Sequence, residues 1–212
     1  MSTESPPTRE RILQESLTLF SQRGYEAVTV AEIADAVGIK APSLYKHYTS
    51  KRAIFEALLV EVESRYEKQA AAMQVHGREA EPDKDFYLHV SENQLVEIGL
   101  GLFTHFLHDE FESKFRKMLQ IERYANPMLA DLYVQRYIDA PITYQSRLFA
   151  LLIEEGLFVQ ADPHIMAMHF YTPILVLLIL CDCHPNREAE AQATLETHIR
   201  QFSKRYKNGV PE

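Results

Sequence analysis

Residues 40 to 47 bring together side chains that can contact nucleic acid. The segment KAPSLYKH carries two lysine cations, a serine hydroxyl, a tyrosine phenol and a histidine imidazole. Lysine and serine bind phosphate oxygens or the edges of bases in a DNA groove. The same residue types also form ordinary solvated helix surfaces, so the elements that carry them decide between the two interpretations.

A short helix with a recognisable beginning and end is predicted just before this segment. Thr29 precedes Glu32 by three residues, the spacing at which a hydroxyl caps a helix and a carboxylate binds the amide of the cap. Gly38 follows the apolar residue Val37, at the position where a chain leaves a helix through a left-handed turn. We therefore expect a helix from Val30 to Val37.

A second short helix is predicted to begin near Ala41. Pro42 fits the first turn of such a helix, where no amide donor is required. Leu44 would face inward, and the side chains facing outward would be those of Ser43, Tyr45, Lys46 and His47. Two short helices joined by a glycine turn form a helix-turn-helix, whose second helix can enter a major groove of DNA.

A longer pattern surrounds this pair of helices. Its residues are Arg11-Ile12-Leu13, Leu17, Phe20, Gly24-Tyr25, Thr29-Val30, Glu32-Ile33-Ala34, Val37-Gly38-Ile39, Leu44-Tyr45-Lys46-His47-Tyr48 and Ser50-Lys51. The pattern resembles the DNA-binding signature of TetR-type transcriptional regulators. Lys40, Pro42 and Tyr48 depart from it, since the family often has serine or threonine, glycine and phenylalanine there. These departures bear on base preference, not on the fold.

The resemblance implies a homodimer that binds a double-stranded DNA operator and responds to a small-molecule effector. Thr29 would offer its hydroxyl to a phosphate, Tyr45 would contact the DNA backbone, and Lys51 would add its charge at the start of the next helix. The residues implied in DNA binding are Thr29, Lys40, Ala41, Ser43, Leu44, Tyr45, Lys46, His47 and Lys51.

Charge is distributed unevenly along the chain. The 212 residues carry a net charge of -8, which by itself argues against phosphate binding. Residues 1–52, however, hold seven Lys/Arg and six Asp/Glu, a balance of +1, whereas the remainder holds fifteen and twenty-four, a balance of -9. This distribution suits a protein that touches DNA at one end. The N-terminus lacks the order of a secretory signal, so we expect a cytoplasmic location.

Few glycines and prolines, and little strand-like alternation, predict an all-α fold. Residues 1–52 would form a helix-turn-helix DNA-binding domain, and residues 53–212 a larger helical bundle for ligand binding and dimerisation. The other predicted helices are Thr8–Arg23, Lys51–Val75, Asp85–His108, Glu110–Tyr124, Pro127–Glu155 with a kink or break at Pro141, Pro163–Cys181 and Arg187–Lys207. Asp162 and Asn186 would cap the last two.

The run from Ile165 to Cys181 is apolar enough to raise the question of a membrane span. It is shorter than the roughly 20 apolar residues that a bilayer requires, and His169, Thr172 and Pro173 interrupt it. A helix that is apolar nearly all round is more simply buried between its own domain and a second subunit. The resemblance implies that this helix and the last one form a four-helix bundle with their copies.

Metal and enzyme chemistry are disfavoured by spacing. Cys181 and Cys183 are separated by one residue and have no second cysteine pair, although His184 follows. His105 and His108 could bind a metal with a histidine from another helix, but separate helical histidines are usually ordinary polar groups. No HExxH, GxSxG or P-loop pattern occurs. We therefore expect no enzyme, no metal and no cofactor.

An effector cavity is expected among the aromatic residues of the second domain. The residues that we expect to bind the ligand are Phe86, Phe103, His105, Phe106, Phe115, Met118, Phe170 and Tyr171, with His105 as a polar anchor. Aromatic residues at helical spacing also form plain cores, which is the competing interpretation for each of them.

The predicted function is a ligand-responsive, homodimeric DNA-binding regulator, expected to be a repressor of a palindromic operator. Within the family that it resembles, activators and repressors share one motif. One alternative is a small-molecule carrier or enzyme that retains a helix-turn-helix. Another is an interaction protein that uses its acidic C-terminal domain as the main surface.

Overall fold

The computed structural model describes residues 6–209 and confirms the all-α prediction. The helices are α1 Thr8–Arg23, α2 Val30–Val37, α3 Ala41–Leu44, α4 Lys51–Ala72, α5 Ala80–His89, α6 Glu92–His108, α7 Glu110–Glu122, α8 Pro127–Val134, α9 Ala140–Glu154, α10 Pro163–Cys183 and α11 Glu188–Tyr206. A π-helical turn, Gln135–Asp139, joins α8 to α9, and a 3-10 turn, Pro185–Arg187, precedes α11.

The chain divides into two compact units. The first contains the residues up to Tyr66 together with Glu110–Tyr133, and the second contains Glu67–Asp109 and the residues from Val134 onward. Helix α4 therefore begins in the first unit and ends in the second, and α7 belongs to the unit of the helix-turn-helix. The functional division at residue 52 stays a prediction.

In the first unit, α1 packs against both α2 and α7. Apolar residues recur along α1 at helical spacing, so that Ile12, Leu17 and Phe20 share one face, and all three are buried. Phe115 of α7 is fully buried and stacks on Phe55 with 6.1 Å between ring centroids. This core supports the two short helices that follow α1.

A break in the second unit was not predicted. The expected continuous helix Asp85–His108 is wrong, because α5 ends at His89 and α6 begins at Glu92. Ser91 caps α6: its hydroxyl accepts a hydrogen bond from the amide of Gln94, and the Gln94 side chain accepts from the amide of Ser91. The sequence carried this signal as the spacing S-x-x-Q, which marks a helix N-terminus.

The predicted break at Pro141 is confirmed. Proline has no amide hydrogen, so Pro141 cannot donate the usual α-helical bond to the carbonyl of Tyr137, four residues earlier. The hydroxyl of Tyr171 donates to that carbonyl at 2.8 Å. The interruption is thus satisfied by a side chain from α10, and the chain passes it through the π-helical turn.

Helix α10 begins as predicted and ends two residues later than expected. Asp162 caps it, with its carboxylate accepting from the amides of His164 and Ile165 at 2.8 and 3.1 Å. Asn186 does not cap α11, because it lies inside the 3-10 turn and α11 starts at Glu188. By length and hydropathy α10 could cross a membrane, and 33% of its apolar window is buried.

We predict that Ser91→Ala lowers the free energy of unfolding by about 1 kcal/mol, because the capping hydroxyl of α6 is lost. Ser91→Asn is the matched control, since asparagine caps helices as well as serine does and should keep the stability unchanged. Chemical denaturation followed by circular dichroism measures the difference. Equal losses in the two variants would mean that the hydroxyl does not act as a cap.

Candidate functional site

The helix-turn-helix begins at a fully formed cap. Thr29 accepts a hydrogen bond from the amide of Glu32 at 3.3 Å, and the Glu32 carboxylate accepts from the amide of Thr29 at 2.7 Å. Helix α2 ends at Gly38, whose φ of 76° lies in the left-handed region that favours glycine. The predicted limits of α2 are therefore confirmed.

The second helix also begins where the sequence predicts, but it is short. Regular α-helix covers only Ala41–Leu44, and the amides of His47 and Tyr48 continue the turn by donating to the carbonyl of Leu44 at 2.9 and 3.0 Å. The segment from Lys40 to His47, which we call the recognition segment, thus stays helical in outline beyond the end of α3.

The recognition segment presents its polar side chains to solvent. Tyr45 is 50% exposed, and Lys40, Lys46 and His47 are exposed, whereas Ala41 and Ser43 are half-buried. Leu44 is 0% exposed. Its side chain therefore packs into the core and holds the segment in place, so a contact of Leu44 with DNA stays a prediction and would not involve an exposed side chain.

Two arginines of α1 hold the ends of the helix-turn-helix. Arg9 donates to the hydroxyl of Tyr48 at 3.2 Å and lies over its ring, with 5.2 Å from the guanidinium carbon to the ring centroid. Arg11 donates to the carbonyl of Val37, at the C-terminus of α2 where carbonyls lack helical donors. The hydroxyl that distinguishes Tyr48 from phenylalanine is therefore used inside the protein.

Lys51 fastens the loop between α1 and α2. Its ammonium donates to the carbonyls of Tyr25, Val28 and Glu26 at 2.9, 3.0 and 3.3 Å, and it lies 4.4 Å from the centroid of the Tyr25 ring. An ammonium has three donors, so these acceptors use all of them. A contact between Lys51 and DNA stays a prediction.

Glu32 is held as an anion beside the cap. Hydrogen bonds from the backbone and hydroxyl of Thr29, and then from Arg23, lower the pKa of Glu32 to about 2. The Thr29 hydroxyl donates to the carboxylate at 2.8 Å, and Arg23 forms an ion pair with it at 2.8 Å. The Thr29 hydroxyl therefore already has an acceptor before any phosphate approaches.

The second unit contains a cavity of about 110 Å³. Its wall is mostly aliphatic and aromatic. The lining residues are Tyr87, Val90, Leu95, Ile98, Gly99, Leu102, Phe106, Tyr144, Gln145, Leu148, Phe149, Leu152, Leu157, Phe158, Phe170, Tyr171, Ile174, Leu178, Phe202 and Lys207. A concave apolar site with few polar groups is the usual form of a small-molecule site.

Only part of the predicted ligand set lies at this cavity. Phe106, Phe170 and Tyr171 line it. The predicted residues that do not line it are Phe86, Phe103, His105, Phe115 and Met118. Phe103, Phe115 and Met118 are fully buried core residues, and the last two belong to the first unit.

His105, the predicted polar anchor, does not line the cavity, and several residues that do line it were not predicted. His105 lies against Phe106, with 5.8 Å between ring centroids, and its Nε2 is buried without a hydrogen-bond partner among the described residues. Gln145, Phe149 and Phe202 line the cavity instead. In sequence, all three lie within helices at positions that could equally belong to the packed interior, so nothing in the sequence distinguished cavity-lining residues from other buried residues.

The candidate metal ligands Cys181, Cys183 and His108 do not form one cluster. Cys181 is buried and Cys183 is exposed. His108 bonds Glu188, with 2.8 Å between Nε2 and the carboxylate. Within residues 6–209, no group of three or more histidine, cysteine, aspartate or glutamate side chains is arranged to hold a metal ion.

The comparisons of sequence cover about a quarter of the chain. Residues 12–58 match the family model described as bacterial regulatory proteins of the tetR family. The chain is 44% identical over 48 residues to the negative transcriptional regulator IcaR of the biofilm operon icaADBC from Staphylococcus aureus strain Newman. It is 43% identical over 51 residues to the transcriptional repressor ComR of Escherichia coli K12. The alignments cover 23 and 24% of this chain, and 26 and 24% of these relatives.

Solved structures match over nearly the whole length. A protein of Mesorhizobium loti assigned to the TetR family has a TM-score of 0.67 at 20% identity, covering 94% of this chain and 96% of its own. The SmeT–triclosan complex matches with a TM-score of 0.65 at 18% sequence identity, and the match covers 97% of each chain. A Saccharomonospora viridis protein in complex with choline matches with a TM-score of 0.64 at 21% sequence identity, and the match covers 92% of this chain and 94% of that protein. At these identities the matches establish the fold.

We predict a loss of stability in acid that depends on Glu32. Because the pKa of Glu32 is lowered in the folded state, its contribution to stability is complete above its ordinary pKa of 4.5 and is lost as the pH falls towards about 2. Denaturation curves between pH 5 and pH 2, taken for the wild type and for Glu32→Gln, measure this contribution. The gap between the two proteins should narrow across that window, and a constant gap would contradict the assignment.

Proposed function

We propose, because the chain belongs to the TetR family of bacterial regulatory proteins, that it is a DNA-binding transcriptional repressor released from its operator by a small molecule. The observation that carries the proposal is the exposed recognition segment directly after the glycine turn. Repression is inferred from IcaR and ComR, which are named as a negative regulator and a repressor and which are similar to about a quarter of this chain.

The distribution of cations supports DNA contact through two lysines. Seven Lys/Arg lie in residues 1–52. Five of them have acceptors within the protein, namely Arg9, Arg11, Arg23, Lys51 and Arg52. Lys40 and Lys46 are exposed, and within residues 6–209 the ammonium group of neither forms a hydrogen bond or an ion pair. Both lie in the recognition segment, so the cations available for phosphates or bases lie on the proposed DNA surface.

The remaining proposed contacts surround these lysines. Ser43, Tyr45 and His47 offer hydroxyl, phenol and imidazole groups to the groove or the backbone, and Ala41 allows close approach at the start of α3. Thr29 would offer its hydroxyl to a phosphate by giving up its donation to Glu32.

We predict that Lys40→Met and Lys46→Met each weaken operator binding and reduce its salt dependence. Each contact with a phosphate contributes about 0.9 to the slope of log affinity against log salt concentration, and the proposed dimer would carry two copies of each lysine, so each variant should lower that slope by about 2. Lys68→Met is the control, because it removes one exposed positive charge from the second unit. Fluorescence anisotropy with labelled operator at several salt concentrations measures the slopes, and three equal slopes would contradict the assignment.

A homodimer through α10 and α11 would place two recognition segments on one operator. The exposed residues Ile165, Met168, Val176 and Ile179 lie at helical spacing along one side of α10. Such an apolar stripe is expected to be covered. Two copies would read the halves of a palindrome in successive major grooves, about 34 Å apart. Binding to DNA also implies the cytoplasmic location.

We predict that Val176→Lys shifts the protein from dimer to monomer, because a charge would be buried in the apolar seam. The matched control is Val60→Lys, where the original side chain is 70% exposed in the first unit. Sedimentation velocity measures both states. If both variants stay dimeric, another surface forms the dimer.

The effector would bind in the cavity of the second unit and shift α4, which runs through both units. SmeT with triclosan and the Saccharomonospora viridis protein with choline show that proteins of this fold hold small molecules. A difference of about 1 to 3 kcal/mol between the effector's affinities for the two states would change operator affinity 5- to 150-fold.

Selection of genomic DNA fragments by the purified protein, repeated over a range of salt concentrations, tests the whole proposal. Recovery of a pseudo-palindrome with a steep dependence on salt is the expected result. If no sequence is enriched even at low salt, the regulator assignment is wrong, and a small-molecule carrier that retains the helix-turn-helix becomes the better description.

A further inference from the structure

We propose that the cavity of the second unit binds a neutral aromatic alcohol with a single ring, a phenol, whose hydroxyl donates to Oε1 of Gln145. The proposal rests on the proposed function in one respect: the cavity is taken to be the effector site. It adds the chemical class of the effector and the side chain that recognises it.

The size and walls of the cavity select a single ring. An apolar cavity of about 150 Å³ holds benzene in a well-studied case, so a volume of about 110 Å³ limits the ligand to a single ring. Phe149, Phe170 and Phe202 line the wall and pack edge-on or tilted against one another, with centroids 5.0 to 5.8 Å apart. A further ring can join them in the same geometry.

One polar atom of the wall lacks a partner. The hydroxyl of Tyr144 donates to Asp83 at 2.6 Å, that of Tyr171 donates to the carbonyl of Tyr137 at 2.8 Å, and the ammonium of Lys207 donates to the carbonyl of Val90 at 3.2 Å. Oε1 of Gln145 is buried and accepts no hydrogen bond within residues 6–209. A buried acceptor without a donor is unfavourable, and a ligand hydroxyl would satisfy it.

The same wall disfavours charged ligands of either sign. The ammonium of Lys207 would attract an anion, but it already donates to the carbonyl of Val90 at 3.2 Å. An anion would also bring negative charge to the unpaired oxygen of Gln145, and the largely apolar wall would not replace the hydration of the anion. A cation would meet Lys207, which lines the cavity and carries its own positive charge. A neutral molecule with one hydrogen-bond donor avoids both costs.

Isothermal titration calorimetry on the full-length protein, without DNA, tests the class directly. The probes are phenol, toluene and anisole, which share a ring but differ in their polar substituent, together with benzoate and choline as the anionic and cationic alternatives. Phenol should bind at least about tenfold more tightly than toluene or anisole, the effect of one hydrogen bond to a buried acceptor. Benzoate and choline should bind more weakly than phenol.

A matched pair of variants assigns the recognition to Gln145. Gln145→Leu should make phenol and toluene bind equally, because the acceptor is gone and the apolar volume is kept. Gln160→Leu makes the same change at an exposed loop position and should keep the preference for phenol. The probe series on the wild type does not depend on either variant folding.

Several outcomes would overturn the proposal. If phenol, anisole and toluene bind with equal affinity, the ligand hydroxyl donates no hydrogen bond in the cavity. If anisole binds as tightly as phenol and more tightly than toluene, the Gln145 side chain donates a hydrogen bond instead of accepting one. If choline or benzoate binds most tightly, the ligand is a cation or an anion and not a neutral phenol. If no probe binds, the cavity does not take a ligand with one ring.

A failure of the proposed regulator function can be distinguished from a failure of the proposed ligand class. Operator binding by the free protein is measured separately and does not depend on any probe. If phenol binds through Gln145 but leaves operator affinity unchanged, the ligand class stands and the effector role of the cavity fails.

Discussion

Carbonyl oxygens without helical donors determine how the first unit is held together. In the loop between α1 and α2, the single ammonium of Lys51 binds three of them, and Arg23 binds the carbonyl of Ala27. Arg11 binds another at the end of α2. Because these cations are occupied within the fold, the exposed positive charge of the recognition segment comes from Lys40 and Lys46. A chain of net charge -8 can in this way present a local surface suited to phosphates.

A missing backbone donor has a comparable effect in the second unit. Pro141 has no amide hydrogen to donate to the carbonyl of Tyr137, and the hydroxyl of Tyr171 donates to that carbonyl from α10. Tyr171 is also part of the cavity wall, and the neighbouring hydroxyl of Tyr144 is taken up by the buried carboxylate of Asp83. With these groups satisfied internally, the unpaired oxygen of Gln145 stands out as the point of polar recognition.

The two units therefore combine different kinds of chemistry in one chain. The first displays cations and hydroxyls on a short helical segment that follows the capped helix α2, which suits a polyanion. The second encloses an apolar space between aromatic side chains, which suits a small neutral molecule. The match of residues 12–58 to tetR-family regulatory proteins is the basis on which these features are joined into a proposed regulator, and the chemistry of each unit can be derived from its own residues.

The sequence by itself determined the helix-turn-helix, because its signals act over a few residues: the capping pair Thr29 and Glu32, and the left-handed turn at Gly38. The break at Ser91 carried an equally local signal. Tertiary structure alone decided that Lys51 binds a distant loop and that Gln145 reaches the cavity, because those contacts join residues far apart in sequence. Aromatic residues at helical spacing look alike whether they fill a core or line a cavity, and only packing separates them.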